Sequence, residues 1–573
     1  MSKLPNLRGL LLAIAIGCAA GQPYFLGKLV NGSDTYYHLH RLWQLDVMVR
    51  QGVWFPRWSP DLAYGFGYPV FQFYGPLSYQ IAEVFYLLSG HLTTSYWLAL
   101  ALFTVAAAVG AYFWARDILG EWGGLVAAAA YVFTPYLASN ILIRGASAEA
   151  CAFAAMPFVL GATQRIARGQ KKFMGIGAMA YAALALSHNA TFFLFTPALL
   201  AYAAFISIKQ IKSFLRIVLM MSWGIALAAF YILPAFAERN LVQLNKLFSD
   251  PTLDFHNNFI PLGLMFANPF PFDPQALGYP YPLHIGLTPL LLGLFGLAVF
   301  GVSLSGAHRF FKNAAHVDVV PHVLAALLII VACVFMMAPS AAAVRVWESL
   351  PLLRVLQFQR RFLPIVGLFA ALIIGLGCTV MWRWLKRARF GLPITAAMLC
   401  VLWATVFPLQ QTPHTFSRDY APTGESIMRL EHEYGVIGTT TTGEYLPVAV
   451  KKIPPIEISP LLRTNASRLD NSILPADTKI IAEQYEPLRY DVTLQTNSAF
   501  VAKFTTFYYA GWQAVLDGVP TNIEPSEPHG FITVRVPAGQ HNLQIYFGST
   551  PVRQISEGVS WLALASWPPA YFG

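Results

Sequence analysis

An acidic residue and an imidazole, Asp34 and His38, stand four residues apart just after the first apolar stretch of the chain. On a helix this spacing places both side chains on one face. A carboxylate there could remove a proton from an acceptor hydroxyl, and the imidazole could hold a phosphate or assist a metal ion. The plainer interpretation is that Asp34 caps a helix beginning at Thr35. Because His40 and Arg41 follow at once, beside an aromatic stretch, we favour a functional role.

Other polar residues that could act with this pair occur in short links between apolar stretches. Arg144 and Glu149 lie in one such link, where the alternatives are an interfacial ion pair and a functional site. His188 and Asn189 occupy a tight link, and a hairpin turn explains them as well as a ligand role does.

Two adjacent arginines, Arg360 and Arg361, precede a late apolar stretch. Their guanidinium groups could contact ordinary lipid phosphate, or they could bind a lipid-linked phosphate in bidentate geometry. Glu83 lies in an apolar segment, so we expect it to face a cavity or to pair with an arginine such as Arg57. We count Arg57 itself among the residues that could bind phosphate.

Three further residues are candidates for substrate contact: Tyr68, His256 and His284. Together with Asp254 and Asp273, the two histidines lie in or beside a proline-rich segment, residues 238–283, which predicts an ordered, irregular lid. Their spacing matches no metal-binding motif, so we predict no metal site there.

Composition defines the elements that must position these residues. Of the 573 residues, 56% are hydrophobic and only 12% are charged, and the mean hydropathy is +0.51, which indicates a polytopic membrane protein. The formal net charge is +10, but the basic residues cluster in short loops between apolar stretches. That distribution is typical of cytoplasmic loops and not of nucleic-acid binding.

About eleven stretches are long and apolar enough to cross a bilayer. They are residues 7–29, 93–114, 122–143, 146–164, 173–188, 190–208, 213–237, 283–304, 320–339, 361–382 and 391–409. Segment 70–90 is also apolar. If it does not cross, the basic clusters all fall on the side of the N-terminus, as the positive-inside rule requires. We therefore predict a juxtamembrane or re-entrant helix there, with the polar links 31–69, 144–149, 188–189 and 238–283 sharing the outer face. The alternative is that 70–90 is a true span and that one span is miscounted later in the chain.

The C-terminal part differs in its sequence pattern from the apolar stretches before it. Alternating runs at 501–509, 531–536 and 541–547 predict strands, and Asp517-Gly518 and Ala538-Gly539 predict hairpin turns. These features indicate a small β-sandwich outside the membrane. All five cysteines lie in apolar segments, so no disulfide framework is predicted. The chain has no phosphate-binding glycine loop and no serine nucleophile elbow.

Several motifs in this order resemble those of a known superfamily. They are SDTYYH (33–38), PRWSPDLAYGFGYP (56–69), FYGPL (73–77), RGASAE (144–149) and TTGEYLP (441–447). The chain resembles the GT-C superfamily of polytopic glycosyltransferases that use polyprenyl-phosphate sugars. Within it, the chain is most similar to the bacterial YfhO-like and 6-pyruvoyl-tetrahydropterin synthase-related membrane proteins. The tail motifs GWQAVLDG (511–518) and VPAGQH (536–541) resemble the outer β-module of such proteins.

The resemblance implies a role for individual residues. Asp34 would be the acid of the first outer loop, acting as base or orienting the acceptor, and Glu149 would be the second acid, near the donor. Arg360 or Arg361 would hold the lipid phosphate. His38, Arg144 or Arg361 would stabilise the charge of the leaving phosphate. Asp34 has no adjacent second acid, which favours a metal-independent reaction, although Asp34, His38 and Glu149 could form a divalent cation site.

The expected domains are a GT-C-like catalytic membrane domain at 1–409, with 31–92 as its first outer loop, an extracytoplasmic β-rich domain at 410–556, and a short apolar membrane-associated tail at 557–573. The expected location is a bacterial inner membrane, with the N-terminus in the cytoplasm.

The expected reaction is inverting transfer of a sugar from a polyprenyl-phosphate donor to a protein or glycan acceptor. The expected partners are these substrates and membrane lipids, without nucleic acid. The alternative is a non-catalytic lipid or glycan transporter, or a cell-envelope assembly factor. A transporter would show internal repeats and polar groups at the bilayer midplane.

Overall fold

The computed structural model describes residues 7–26, 32–267, 284–304, 319–384, 388–411, 417, 420–463 and 467–566. Asp273, one of the residues named above, lies outside these ranges. The first helices are α1 (Leu7–Ala20), α2 (Gln22–Phe25), α3 (Thr35–Val49), α4 (Val70–Phe73) and α5 (Leu77–Ser89). Helix α3 begins directly after Asp34, as predicted, but the Asp34 side chain makes no capping hydrogen bond, so that part of the capping interpretation is wrong.

Helices make up most of the described chain, and the long apolar ones confirm a polytopic membrane protein. Six are long enough to cross a bilayer. They are α6 (Leu92–Leu119), α9 (Ser147–Ala167), α11 (Asn189–Ile206), α16 (Val320–Met337), α19 (Leu363–Trp384) and α20 (Ala388–Val406). Shorter apolar helices are α1, α10 (Phe173–Ser187) and α15 (Leu287–Leu304).

Two further apolar stretches form bent pairs of helices. Helix α7 (Glu121–Val132) is followed by α8 (Pro135–Ser139), which continues as a π-helical turn to Arg144, and the two parts meet at 47°. Pro135 accounts for this break, since a proline cannot continue the hydrogen bonding of the preceding helix. Helices α12 (Ile211–Leu227) and α13 (Ala229–Ala237) meet at 75°. Short helices α14 (Leu262–Met265), α17 (Ala341–Ser349) and α18 (Pro351–Arg354) lie in the connections.

Segment 70–90 divides into α4 and α5. Helix α5 has 13 residues, which extend about 20 Å at 1.5 Å per residue. The hydrocarbon core of a bilayer is about 30 Å thick. Helix α5 is therefore too short to cross on its own, as expected of a juxtamembrane helix, and it packs between α3 and α6.

The C-terminal part contains helix α21 (Gly424–Tyr434), two antiparallel sheets and helix α22 (Pro551–Ala565). One sheet has the order β1-β2-β8-β4-β5 and the other the order β3-β7-β6. The strands are β1 (Lys479–Glu486), β2 (Arg489–Thr496), β3 (Phe500–Phe507), β4 (Trp512–Leu516), β5 (Val519–Thr521), β6 (Glu524–Pro525), β7 (Phe531–Val536) and β8 (Gly539–Phe547). Strands β2 and β8 pair from Arg489 opposite Tyr546 to Thr496 opposite Gly539. Tyr490 of β2 stacks on Phe504 of β3, so that the sheets face each other.

One of the two predicted hairpin turns is wrong. Asp517 and Gly518, both with positive φ, join the paired strands β4 and β5 as expected. Ala538 and Gly539 instead connect β7 to β8, which belong to different sheets. Turn residues identify a reversal of the chain, but they do not identify which strand the following residues will pair with.

The loop at residues 55–69 joins the membrane helices to the C-terminal part. Trp58 and Phe66 are both fully buried. Trp58 stacks on Tyr509 with ring centroids 6.0 Å apart, and Phe66 lies 5.3 Å from Phe507. The amide of Phe507 also donates to the Phe66 carbonyl at 2.8 Å. This loop therefore supplies part of the apolar core beneath the two sheets.

Helix α22 begins inside the region predicted to be β-rich and packs against α12 and α13. Arg553 on α22 is fully buried and donates to Glu238 at 2.7 Å, just beyond the end of α13. Ile555, Trp561 and Leu562, by contrast, are about 70% exposed, at 68%, 69% and 72%. The helix thus anchors the C-terminal part to the bundle while turning an apolar face outward.

Candidate active site

A guanidinium group lies between two carboxylates at one end of the helix bundle. Arg144 donates through Nη2 to Asp34 Oδ2 at 2.9 Å and through Nη1 to Glu149 Oε1 at 3.1 Å. Asn140 accepts a further bond from Nη1 at 2.6 Å. These contacts bring together the beginning of α3, the π-helical turn after α8 and the first turn of α9.

Backbone geometry explains why these elements meet. The amide of Asp34 donates to the Arg144 carbonyl at 2.9 Å, and a Cβ on Gly32 would stand 2.5 Å from that carbonyl, so only glycine fits there. Gly145 ends the π-helical turn with a φ of 70°, a conformation that glycine adopts without strain. Glu149 then falls in the first turn of α9, where the helix dipole favours a negative charge.

The accessibility of this group is uneven. The side chain of Asp34 is 31% exposed, whereas those of Arg144 and Glu149 are 12% and 6% exposed. The cluster therefore opens at Asp34 and is closed at Glu149.

Arg360 and Arg361 reach the same cluster from the beginning of α19. Both lie close enough to Glu149 and Tyr136 to act on them electrostatically. Tyr136 on α8 donates to Glu149 Oε2 at 3.4 Å. Arg360 stacks on Phe358 at 3.7 Å, and Arg361 donates to the Leu356 carbonyl. Three guanidinium groups therefore face two carboxylates.

His38 and Arg41 lie on α3, one and two turns beyond Asp34, and share a tyrosine. His38 Nδ1 is 2.6 Å from the Tyr79 hydroxyl, and Arg41 Nη1 donates to that hydroxyl at 3.1 Å. Burial, and after it the charge of Arg41, lowers the pKa of His38 to about 3. His38 is therefore neutral near pH 7, so it can donate or accept a hydrogen bond but adds no positive charge for a phosphate.

A segment from the C-terminal part completes this region. Arg41 donates through Nε to Thr439 Oγ1 at 2.9 Å and through Nη2 to the Thr439 carbonyl at 2.5 Å. Thr439 has a positive φ of 59°. Neighbouring His40 is within 2.6 Å of the Tyr420 hydroxyl, and burial lowers the pKa of His40 to about 4.

The link at His188 and Asn189 lies beside the cluster. His188 is close enough to Glu149 to act on it electrostatically, and its Nδ1 is 2.8 Å from Thr191 Oγ1. Asn189 donates to the Phe73 carbonyl at 2.8 Å, which ties α11 to α4.

The expected pairing of Glu83 with Arg57 is wrong. Arg57 donates to Gln72 and to Glu557 of α22, both at 2.9 Å. Glu83 instead faces Asp46, which reaches it from α3. Arg57 could not be paired from sequence because its partner Glu557 lies 500 residues away in the chain.

Three other predicted contact residues lie in different surroundings. The Tyr68 hydroxyl forms a hydrogen bond with Thr440 Oγ1 and accepts another from the Tyr445 amide, both at 2.8 Å. These contacts lie within the interface to the C-terminal part. His256 is exposed and pairs with Asp254 and Glu348. His284 contacts the Leu264 carbonyl. The contacts of these three residues are thus outside the Arg144 cluster.

The described residues contain no group of three or more His, Cys, Asp or Glu side chains placed to hold a metal ion. Asp34, His38 and Glu149, considered above as one possible ligand set, do not form such a group, because the Arg144 guanidinium lies between the two carboxylates.

Sequence reasoning missed four residues of this region: Asn140, Tyr136, Tyr79 and Thr439. Asn140 precedes Arg144 by four residues, a helical spacing that could have identified it. The other three have no signal in the local sequence.

Several known proteins are similar to this chain in sequence or in structure. An uncharacterised protein of Lactococcus lactis subsp. cremoris (strain MG1363) is 25% identical over 245 residues, which span 40% of each chain. The chain is also similar to the solved arabinofuranosyltransferase AftD from Mycobacteria, with 16% identity, a TM-score of 0.42, and coverage of 72% of this chain and 27% of that one. A solved oligosaccharyltransferase of Archaeoglobus fulgidus, tethered to an acceptor peptide, has 14% identity, a TM-score of 0.44, and coverage of 78% and 60%.

The chain therefore spans less than two thirds of the length of each of these proteins. The match to a family is more direct. Residues 71–271 match the model of the 6-pyruvoyl-tetrahydropterin synthase related domain, a membrane protein domain, which confirms over this segment the resemblance predicted from the sequence.

Proposed function

We propose that this chain is a membrane glycosyltransferase that moves a sugar from a polyprenyl-phosphate donor to an acceptor hydroxyl by direct displacement with inversion. The observation that carries the proposal is a set of three guanidinium groups at one place: Arg144 pairs with Asp34 and Glu149, and Arg360 and Arg361 lie close enough to Glu149 to act on it electrostatically. Buried charges are costly unless they are paired. A bound phosphate would place a negative charge beside these guanidinium groups, whose planar donors match its geometry.

An apolar groove could receive the lipid tail of the donor. Helices α1, α7 and α20 enclose a cavity of about 430 Å³ whose lining is almost wholly apolar. Its lining includes Ala19, Phe133 and Trp403, which lie near the C-terminal ends of α1, α7 and α20. Phe133 lies just before α8, and Tyr136 of α8 contacts Glu149. A tail in this groove would thus end near the arginines that we propose bind its phosphate.

The proposed reaction assigns distinct tasks to the charged residues. The acceptor oxygen forms a bond to the anomeric carbon while the bond from that carbon to the donor phosphate breaks. Asp34, the most exposed member of the cluster, accepts the hydroxyl proton. Arg360 and Arg361 stabilise the negative charge that accumulates on the leaving phosphate. Arg144 holds both carboxylates in position.

The basic residues support placing this chemistry on the extracytoplasmic side. Glu149 lies at the beginning of α9, and a basic group, which includes Arg165 and Arg168, lies at its other end. Cytoplasmic loops are enriched in such residues. The cluster would then face away from the cytoplasm.

The test replaces Asp34 with asparagine, which keeps the shape of the side chain and removes its basicity. We expect transfer of labelled sugar from polyprenyl-phosphate donors in membrane vesicles to fall about 100-fold or more. Asp491→Asn, which removes an ion pair with Arg489 on strand β2, is the matched control, and this variant should transfer sugar as the parent does. Undiminished transfer by Asp34→Asn would remove the proposed base. Absence of transfer by the parent protein with every lipid donor tried would favour a non-catalytic membrane protein.

A further inference from the structure

The open side of the cluster is bordered by tyrosines. Tyr36 and Tyr37 lie on the first turn of α3, next to Asp34, and both are half-buried. Tyr420 and Tyr434 come from the C-terminal part, and Tyr434 is 64% exposed. We call these four residues the tyrosine surface.

One ring contact and electrostatic proximity place these four residues beside one another. Tyr36 meets Tyr420 edge to face, with ring centroids 5.8 Å apart. Tyr37 lies close enough to Asp34 and to Tyr434 to interact electrostatically with both. The tyrosine surface therefore extends from the proposed base, across the beginning of α3, to the end of α21.

Two of the hydroxyl groups are available for a ligand. Within the described part of the chain, the hydroxyls of Tyr37 and Tyr434 have no hydrogen-bond partner. Tyrosine can act as both donor and acceptor through this group. The surface thus combines aromatic faces with neutral polar atoms and contributes no charge of its own.

This combination matches the chemistry of a sugar ring. A pyranose has apolar C–H faces, which stack on aromatic rings, and a rim of neutral hydroxyl groups. One recurring way to bind an extended peptide is to add it as a strand to an exposed sheet edge. The tyrosine surface instead consists of a helix beginning, a helix end and a loop residue, and so offers no strand edge.

We infer that the acceptor is a neutral saccharide whose terminal ring is held by Tyr36, Tyr37, Tyr420 and Tyr434 with one hydroxyl directed at Asp34. This inference rests on the proposed function and specifies its acceptor. In the transfer step the acceptor oxygen bonds to the donor's anomeric carbon. The bond from that carbon to phosphate breaks with its electrons on phosphate, and the hydroxyl proton passes to Asp34.

The test measures binding by the full-length protein in lipid nanodiscs. The probes are neutral linear hexasaccharides of glucose, mannose and arabinose, and uncharged peptides of similar mass. We expect at least one hexasaccharide to bind with a Kd below about 10 mM. Tyr37→Ala and Tyr434→Ala should each weaken it by about three- to ten-fold, the size of one aromatic contact.

Further variants separate stacking from hydrogen bonding and from general damage. Tyr434→Phe keeps the ring and should bind more tightly than Tyr434→Ala. Tyr546→Ala, at a half-buried tyrosine of β8 bonded to Gln513, should bind as the parent does. In a transfer assay the Tyr434→Ala variant should raise the acceptor KM more than it lowers kcat.

The inference is overturned if no hexasaccharide binds below this Kd, if the Tyr37→Ala and Tyr434→Ala variants bind unchanged, or if the peptides bind in their place. A separate measurement on the parent protein, binding of polyprenyl-phosphate sugar, tests the proposed function. Donor binding without saccharide binding would reject the acceptor class alone. Absence of donor binding would reject the function.

Discussion

At the scale of single residues, Arg144 holds the candidate site together. Its guanidinium reaches Asp34 and Glu149 at once, and both carboxylates would otherwise repel each other across a poorly solvated space. A lysine could not replace it, because an ammonium group lacks the planar arrangement of donors that serves two carboxylates.

Replacing Arg144 with glutamine should therefore destabilise the protein strongly. Removing one partner from a buried ion pair costs about 3–5 kcal/mol, because it leaves the other charge uncompensated. The unfolding midpoint of the protein in detergent, followed by tryptophan fluorescence, measures this cost. Arg345→Gln, at an exposed arginine of α17, should leave the midpoint unchanged. Adding Glu149→Gln to Arg144→Gln should restore part of the loss. Equal shifts of the unfolding midpoint in Arg144→Gln and Arg345→Gln would contradict the assigned role of Arg144.

Sequence reasoning predicted part of this site for a physical reason. Charge asymmetry placed Asp34, Glu149 and Arg360 on one side of the membrane, and their side chains do converge. Partners that depend on tertiary packing could not be predicted in this way. Tyr79 meets Arg41 across 38 residues, and Thr439 meets it across 398. No local pattern identifies such pairs.

At the scale of elements, an acidic pair lies between α3 and α5. Asp46 and Glu83 are 5% and 1% exposed, and neither oxygen of Glu83 has a hydrogen-bond donor among the described residues. Arg50 pairs with Asp46 at 2.8 Å. Two carboxyl groups in this position can bond to each other only if one of them carries a proton.

This pair should make stability depend on pH. Burial, together with the charge of Asp46, raises the pKa of Glu83 from 4.5 to about 8. The folded protein therefore binds this proton more tightly than the unfolded chain does. The stabilisation that this bound proton gives the folded protein is complete below pH 4.5 and is lost as pH rises through about 8.

In Glu83→Gln the unfolding midpoint should accordingly fall less between pH 5 and 8 than in the parent, by roughly 2 °C or more. Thermal unfolding at several pH values measures the difference. Glu457→Gln, at an exposed acid, controls for the general effect of removing a carboxylate. Identical pH profiles for Glu83→Gln and the parent would show that Glu83 is not the titrating group.

The elements themselves differed in how far they could be predicted. Long apolar runs predicted most of the helices, and Pro135 explains the bend after α7. The 75° bend between α12 and α13 falls at Ala228, where the sequence has no proline to mark it. The strands at 531–536 and 541–547 followed from alternation, but their assignment to separate sheets did not.

At the scale of the whole molecule, the membrane helices and the C-terminal part share a buried network. Glu238, at the end of α13, accepts hydrogen bonds from Gln72, Tyr509, Thr550 and Arg553. A second tie is Glu431, which accepts the amides of Ala63 and Tyr64 at 3.0 and 2.6 Å. Both amides belong to residues with positive φ, so Glu431 stabilises a loop conformation that is otherwise unfavourable.

Arg553→Met should loosen this attachment. Glu238 would keep its burial and lose its opposite charge, at a cost of about 3–5 kcal/mol. We expect limited proteolysis to release the C-terminal part of this variant sooner than that of the parent. Arg535→Met is the matched control, because Arg535 and its partner Glu524 are 79% and 63% exposed. An exposed pair of this kind contributes no more than about 1 kcal/mol. Equal rates of cleavage in both variants would contradict the proposed anchoring.

The contact between Arg41 and Thr439 also bears on biosynthesis. The ribosome adds Thr439 398 residues after Arg41, and chains fold from the N-terminus as they are made. Every apolar helix up to α20 is thus synthesised before the contact between Arg41 and Thr439 can form. A nonsense mutation shortly after residue 411 would yield a chain that has its membrane helices up to α20 but in which Arg41 can never gain its partner Thr439.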